Sequence, residues 1–562
     1  MSETDAAAVL HELTRHGSPT DRSVLVDFRP LDPGNRPAPF KRYRGLTTTP
    51  LPTDLGETGA PAVDVLSGRG RTAQPPPLDA AALARLLFFT AGVTRSSSSP
   101  VFEEPTYFRT AMSAGNLHPI EVYVVCAGVD GVDDGVHHFA PLEFGLTRLA
   151  DVPSGASRCT FVLTGIPWRT AWKYGERGFR HLYWDAGTML ANLLAVADAS
   201  RLDARLWTAF VDEAVAKLVG VDGETEFPLA LVTFDGDAPS FPRDRLPLDL
   251  DVEPISPGPI TFPLITAAQH GGNLRDDGAV AAWRARAVGG RATRQRIDPP
   301  ATSTGESIEQ VILRRGSTRI MRPETAPSPL LRWGMAAAAR SVPADFVAPG
   351  TTLLEHELAV HGIEGVDAGA YRWRDGDGDL ELVRAGQFRS ITQQLCLDQP
   401  LGGDSAYTAF HAAPLDPVLG TLGARGYRVA QLEAGIASGR LSLAAFALGA
   451  GPRGSRSSTS QSAGSSRRAH PACSSRRWVS PTTATHPEAA LAPPPSSRAT
   501  ATSCSACRCN CTAAAAHDAS VVRNSRAQGT HQKRPPVATL SARTVLGGEL
   551  VVPCTPNPRT GG

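Results

Sequence analysis

A chain of 562 residues exceeds what one hydrophobic core supports, so length alone predicts at least two domains. A formal net charge of +1 excludes a nucleic-acid binder that is basic throughout, although the charge is uneven: beyond Gly451 many arginines face only three acids (Glu488, Asp518 and Glu549), leaving a moderately acidic body ahead of a basic tail. The N-terminus MSETDAAAVLHELTRHG lacks a basic segment followed by an apolar one, and no run reaches the roughly 18 apolar residues of a membrane helix. A cytoplasmic protein with neither membrane nor nucleic acid as partner is expected. Cys126, Cys159 and Cys396 are too scattered in sequence to suggest a disulfide framework or a metal site.

Residues 1–80 are punctuated by Pro and Gly and are expected to form an arm, around PFKRYRGL, and a linker, AQPPPLD. Helical spacing then covers Ala80–Thr94, alternation predicts a strand at Ile120–Val125, and apolar runs predict strands at Cys159–Thr164 and Leu229–Thr233. A long helix is predicted between the last two, from about Tyr174 to Arg201. Strands separated by long helices make residues 81–240 one layered domain. Residues 241–305, rich in Pro, Gly and Asp, are expected to be a linker or a long excursion.

A second domain is expected over residues 306–450, and it repeats part of the first. ERGFRHLYWDAG (Glu176–Gly187) is echoed by ARGYRVAQLEAG (Ala424–Gly435), with Arg, Gly, an aromatic residue, Arg and the closing Ala-Gly all at an offset of 248. GVHHF and the strand after it (Gly135–Ala150) are echoed by GAYRW and LELVRAG (Gly369–Gly386). Two echoes in the same order suggest a duplication folded as an intramolecular pseudo-dimer. Residues 451–562 change texture to Ser, Arg, Ala, Thr and Pro, with no Phe, Tyr, Ile or Met, so disorder is expected there. The helix Leu441–Leu448 breaks off where the first copy continues to its last strand, as a frame-shifted C-terminus would. CSACRCNC (Cys504, Cys507, Cys509, Cys511) has thiols at close spacing but no flanking scaffold, and no metal site is assigned to it.

Three segments could carry chemistry. RTAMSAGNLHPIEVYVV (Arg109–Val125) puts an arginine, a small-residue turn and His-Pro before a strand, which is either an ordinary helix-to-strand turn or a cradle for a planar, anionic ligand. WKYGERGFRHLYWDAG (Trp172–Gly187) puts Lys173 and Tyr174 at the start of the long helix, where a Lys-Tyr pair is either solvated or a proton-handling pair. IEQVILRRGSTRIM (Ile308–Met321) groups guanidiniums beside a hydroxyl, either a basic helix face or a phosphate cradle. LSGRGRT (Leu66–Thr72) is a weaker first-copy equivalent, through Arg69 and Arg71.

Together these segments resemble the SagB-type peptide dehydrogenases, a nitroreductase-fold family. The first segment is similar to the family's Arg-x-x-Pro-Ser-x-Gly-x-x-His-Pro, with Met112 in place of Pro and Asn116 at a small-residue position. The second is similar to Lys-Tyr-Gly-x-Arg-x-x-Arg, and the third to the Arg-Arg-Ser-x-Arg signature with Gly316 inserted. The resemblance covers about residues 5–235 well and 305–449 in part. It implies an α+β fold, a mixed, mostly antiparallel sheet flanked by helices in two tandem copies, with FMN as cofactor. By similarity Arg109, Ser113, Gly115 and Asn116 would contact the flavin, and Arg314, Arg315, Ser317 and Arg319 its phosphate. Lys173 and Tyr174 would be catalytic, while Asp212 and Glu226 match family positions of structural character.

The second copy has Thr421 and Leu422 in place of Lys173 and Tyr174, and Met335–Gly350 lacks Ser-x-Gly-x-x-His-Pro. One hybrid site built by both copies is therefore expected. The second copy stops at FALGAGPRGS, where the Gly-x-x-Gly-Leu-like segment that completes the family's flavin pocket should begin, so reduced or lost FMN affinity is the expectation there. The implied reaction is oxidation of azoline rings to azoles in a ribosomally made precursor peptide, alongside a cyclodehydratase complex. It removes a ring proton while hydride leaves to the flavin, and so needs a positioned base. A general NAD(P)H-dependent nitro or quinone reductase, or a non-catalytic scaffold subunit, are the other readings.

Overall fold

The structure, a computed structural model, describes residues 3–14, 31–70, 77–98, 105–234, 238–286, 290–318, 320–376 and 378–450. The expectations made for the tail from 451, including CSACRCNC, and for Arg71 and Arg319 lie outside the described residues. An arm comes first, with α1 (Glu3–Thr14), β1 (Thr48–Pro50) and α2 (Ala62–Leu66). There follow α3 (Ala80–Ala91), the hairpin of β2 (Val93–Ser97) and β3 (Thr106–Arg109), then β4 (Ile120–Cys126), β5 (Gly135–Ala140), β6 (Gly145–Ala150) and β7 (Cys159–Gly165). After these run α4 (Pro167–Tyr174), α5 (Gly178–Ala199), β8 (Arg205–Trp207), α6 (Asp212–Val219) and β9 (Phe227–Thr233). The sheet has the order β1-β6-β5-β4-β7-β9-β8, and each of these strand pairs is antiparallel, so it is antiparallel rather than mixed.

Residues 241–305, expected to be a linker or a long excursion, carry α7 (Pro263–His270), α8 (Asp277–Arg286) and β10 (Arg291–Ala292). Ile265, Ala268, Val280 and Trp283 are buried in the common core, and the Trp283 indole donates to the Leu422 carbonyl at 2.9 Å. The second unit contains α9 (Ile308–Arg314), α10 (Ser328–Ala338), β11 (Thr351–Thr352), β12 (Glu355–Val360), β13 (Gly369–Arg374) and β14 (Asp379–Ala385). It closes with α11 (Arg389–Leu395), α12 (Pro400–Asp404), β15 (Tyr407–Ala412) and α13 (Leu415–Ala447). Its antiparallel sheet, β14-β13-β12-β15, has the strand order of β6-β5-β4-β7 in the first. Among the described residues no helix is long and apolar enough to cross a membrane, and no group of three or more His, Cys, Asp or Glu is placed to hold a metal.

The two units meet along α5 and α13. α5 is buried on nearly every side, which explains its almost continuous apolar sequence. Glycines let the two backbones touch: a Cβ on Gly187 would lie 2.4 Å from the Leu432 carbonyl oxygen and 2.6 Å from the Gly435 Cα, and one on Gly435 would lie 2.5 Å from the Trp184 carbonyl oxygen. Phe179 and Tyr427 stack with planes 6° apart, and a Cβ on Gly439 would meet that of Ala191. Each of these pairs, 179 with 427, 187 with 435 and 191 with 439, stands at the offset of 248 seen in the sequence.

Buried charges tie the parts together. Asp212 accepts from Arg425 at 2.7 Å and Arg428 at 3.3 Å, the two arginines of the repeated motif. Glu226 accepts from Lys41 and Tyr123, both at 2.7 Å, and from Thr164 at 2.6 Å, which pins the arm to the first sheet. Both carboxylates are thus structural.

Helix propensity alone would make Gly187→Ala stabilising by up to about 1 kcal/mol. Because the obstructing atoms are backbone, the substitution is instead expected to cost roughly 1–3 kcal/mol. Urea denaturation should show a lower midpoint for Gly187→Ala, and an unchanged or higher midpoint would refute the close approach.

Candidate active site

The segment from Arg109 to Pro119 leaves β3 and enters β4 through a tight turn. Gly115, Asn116 and His118 adopt left-handed backbone angles, φ of 62°, 57° and 48°, which cost little for Gly and Asn. Asn116 fastens the turn from within, donating to the Tyr107 carbonyl at 2.8 Å and meeting His118 Nε2 at 3.0 Å. Lys173 and Tyr174, the end of α4, lie against this turn: a Cβ on Gly115 would be 2.8 Å from the Tyr174 hydroxyl oxygen and 3.2 Å from Lys173 Nζ. The two motifs, separate in sequence, are therefore neighbours in the fold. Lys173 is exposed and Tyr174 half-buried. Gly175, at φ 55°, breaks the helix predicted to run on from Tyr174.

A stripe of polar residues on α5 holds the same segment. Asp185 accepts from Ser113 Oγ at 2.6 Å and from the Ala114 N–H at 3.0 Å. Thr188 donates to the Met112 carbonyl at 2.8 Å, and Asn192 to the Thr110 carbonyl at 3.2 Å. Spacings of three and four put all three on one helix face. Their function is not evident from the motif, although polar residues at that spacing in an apolar helix are a readable signal. Glu433 does the same in the second unit, accepting from Thr352 Oγ1 at 2.8 Å and the Leu353 N–H at 3.0 Å. It stands 248 residues after Asp185.

Of the three phosphate candidates among the described residues, Arg314, Arg315 and Ser317, the structure brings one to the turn. Arg315, from the second unit, donates to the Thr110 carbonyl at 2.9 Å. Arg314 is committed to Glu306, at 2.9 and 2.5 Å, and to the Phe446 carbonyl at the end of α13. Ser317 is exposed, and Arg69 binds the Ile297 carbonyl and Asp298 rather than the turn. Arg109 is buried, donates to the Pro39 carbonyl at 2.6 Å and lies over the Phe40 ring. Burial pulls the guanidinium pKa down to about 10 for Arg109, and burial together with Arg95 does the same for Arg315. The Nε of each is buried without a hydrogen-bond partner. A cationic donor left unused is costly, and an anionic group placed against either guanidinium would offset that cost. The cavity behind the turn, lined by Arg109, Ser113, His118 and Asp185, has a volume of about 10 Å³, enough for a water but not for a flavin.

Beneath the turn lies a second charged layer. Glu121 accepts from Arg169 at 2.5 Å and from His138 at 2.8 Å, and Arg169 also donates to the His118 carbonyl at 3.0 Å. Burial opposes ionisation of Glu121, but Arg169 and His138 overcome it and hold the carboxyl well below its ordinary 4.5. Burial and the nearby Arg109 and Arg169 keep His118 neutral.

Removing one partner of such a pair leaves the other charge buried alone, so Glu121→Gln should lose about 3–5 kcal/mol at pH 7. Since the folded carboxyl is depressed, its stabilisation is present above 4.5 and lost as pH falls through the folded value. The gap between wild type and Glu121→Gln in urea melts should be full at pH 7 and narrower at pH 3. A gap that widens on acidification would contradict the pairing.

Residues 71–236 match the model of the Nitroreductase family. A Methanocaldococcus jannaschii protein named as a nitroreductase, MJ1384, is 26% identical over 170 residues, 28% of this chain and 80% of that protein. The microcin B17-processing protein McbC of Escherichia coli is 30% identical over 145 residues, 22% of this chain. The match spans 53% of McbC, about half its length. A crystallised Anabaena variabilis protein described as a nitroreductase shares the fold, with a TM-score of 0.59, 23% identity, and coverage of 79% of this chain and 92% of that one. Over residues 71–236 the chain is therefore similar to the Nitroreductase family, and its fold is shared with the Anabaena protein.

Proposed function

We propose that the chain is an FMN-dependent dehydrogenase of the SagB type, which oxidises azoline rings to azoles in a ribosomally made peptide. The observation that carries this reading is the placement of Lys173 Nζ and the Tyr174 hydroxyl against Gly115. A general nitro or quinone reductase needs an open flavin face but no base beside it, whereas azoline oxidation needs one within reach of a ring proton. The similarity to McbC, a microcin B17-processing protein, points the same way, and so suggests a precursor peptide as substrate and a peptide-modifying complex, with a cyclodehydratase, as partner.

FMN, when bound, supplies the two-electron acceptor that takes hydride from the ring. Arg109 and, from the second unit, Arg315 would hold it with their positive charge, and Ser113, Gly115 and Asn116 would present the turn to it. Lys173 Nζ takes the proton from the neighbouring ring carbon, so the ring loses a hydride and a proton and gains a double bond. Tyr174 positions that amine, its ring centroid 5.1 Å from Nζ. The exposure of Lys173 lets a peptide-borne ring approach.

The second unit is read as a degenerate copy of the first, and the whole as an intramolecular pseudo-dimer with one hybrid site. The contacts at the 248-residue offset, the shared strand order and the matching roles of Asp185 and Glu433 support this. Leu422, at the Tyr174 position, is buried, so the second unit offers no equivalent pair.

Lys173→Ala should retain flavin absorbance and its reduction by dithionite while azoline oxidation on a cyclised peptide falls by roughly 10²–10⁴. Wild-type nitro or quinone reduction with no azoline turnover, or a Lys173→Ala variant as active as wild type, would overturn the assignment.

A further inference from the structure

Behind the Lys173–Tyr174 pair stands a residue with no role in the reaction as described so far. Tyr174 is the last residue of α4, and the chain turns at once through Gly175. Its ring packs against α5. The His181 imidazole stacks on the Tyr174 ring with centroids 4.1 Å and planes 28° apart. His181 is buried and also packs against Trp184, at 4.8 Å and 44°. The Trp184 indole is fixed in turn by donating to Gln431 Oε1 at 2.7 Å on α13. The Tyr174 ring, 5.1 Å from Lys173 Nζ and with its hydroxyl against Gly115, is thus backed by an aromatic series that ends at the contact between the two units.

We infer that His181 is a positioning residue for the proposed dehydrogenation: by stacking on Tyr174 it fixes that ring, and with it the Lys173 amine, at the Gly115 turn. The inference rests on reading Lys173 and Tyr174 as the proton-handling pair. A phenol has only two side-chain torsions, so one face-to-face neighbour is enough to select its rotamer. Aromaticity, rather than imidazole chemistry, is the property required.

The test compares His181→Phe with His181→Leu in the full chain, since both fill the site with apolar atoms and only Phe can stack. Two readouts are taken: the rate of Tyr174 nitration by tetranitromethane, followed by peptide mass spectrometry, and azoline turnover. In His181→Leu nitration should quicken and kcat fall by roughly ten- to a hundredfold with KM unchanged, the size of loss that misplacing a reacting group brings. In His181→Phe both should stay near wild type. Equal nitration in all three proteins, or equally altered nitration in Leu and Phe, would overturn the inference. Nitration that changes as expected in a protein whose wild type oxidises no azoline would uphold the positioning of Tyr174 and reject the reading of the reaction.

Discussion

Close approach of α5 and α13 is the constraint on which the remaining structure depends. Without side chains at Gly187 and Gly435 the two backbones come within contact distance, and no other residue would permit it. Each helix then carries a carboxylate, Asp185 or Glu433, that reaches a hydroxyl and the next N–H of a neighbouring turn. The packing also lets the second unit deliver Arg315 to the Thr110 carbonyl of the first. Moving the helices apart would withdraw Arg315 from that carbonyl.

The turn itself is held from three sides by groups that have little alternative. Asp185, Thr188 and Asn192 fix its backbone from α5, Arg169 and Glu121 support it from below, and Gly115 leaves room for Lys173 and Tyr174. Buried charges such as these add little net stability, yet breaking one pair is costly, so they specify one conformation. A site proposed to hold a cofactor and a base in fixed relation would benefit from that rigidity.

Much of this was legible in the sequence where periodicity carries the signal. The strands at Ile120, Cys159 and Leu229 were found within two residues, because alternation or an apolar run reports burial directly. The echo at an offset of 248 marked the two helices that touch, and the Lys-Tyr and Ser-x-Gly motifs turned out to be neighbours. Long-range pairing was not legible. Glu121 is one charge in an apolar strand, and its partner Arg169 lies 48 residues away. Arg314 looked like a phosphate ligand but is occupied by Glu306 and the end of α13. Residues 241–305 looked like a linker or a long excursion because Pro, Gly and Asp surround the short helices α7 and α8, of which α8 buries only Val280 and Trp283. The break at Gly175 was hidden inside a helical pattern, where one glycine does not reveal its φ.

That both units build one flavin site is the central claim, and FMN titration of the full chain, followed by flavin fluorescence, tests it most directly. One FMN per chain is expected, and Arg315→Gln, which alters only the second unit, should raise Kd roughly tenfold or more, as losing a hydrogen bond to a charged group does. An Arg315→Gln variant that binds FMN as tightly as wild type, or a chain that binds none, would contradict a site shared between the two units.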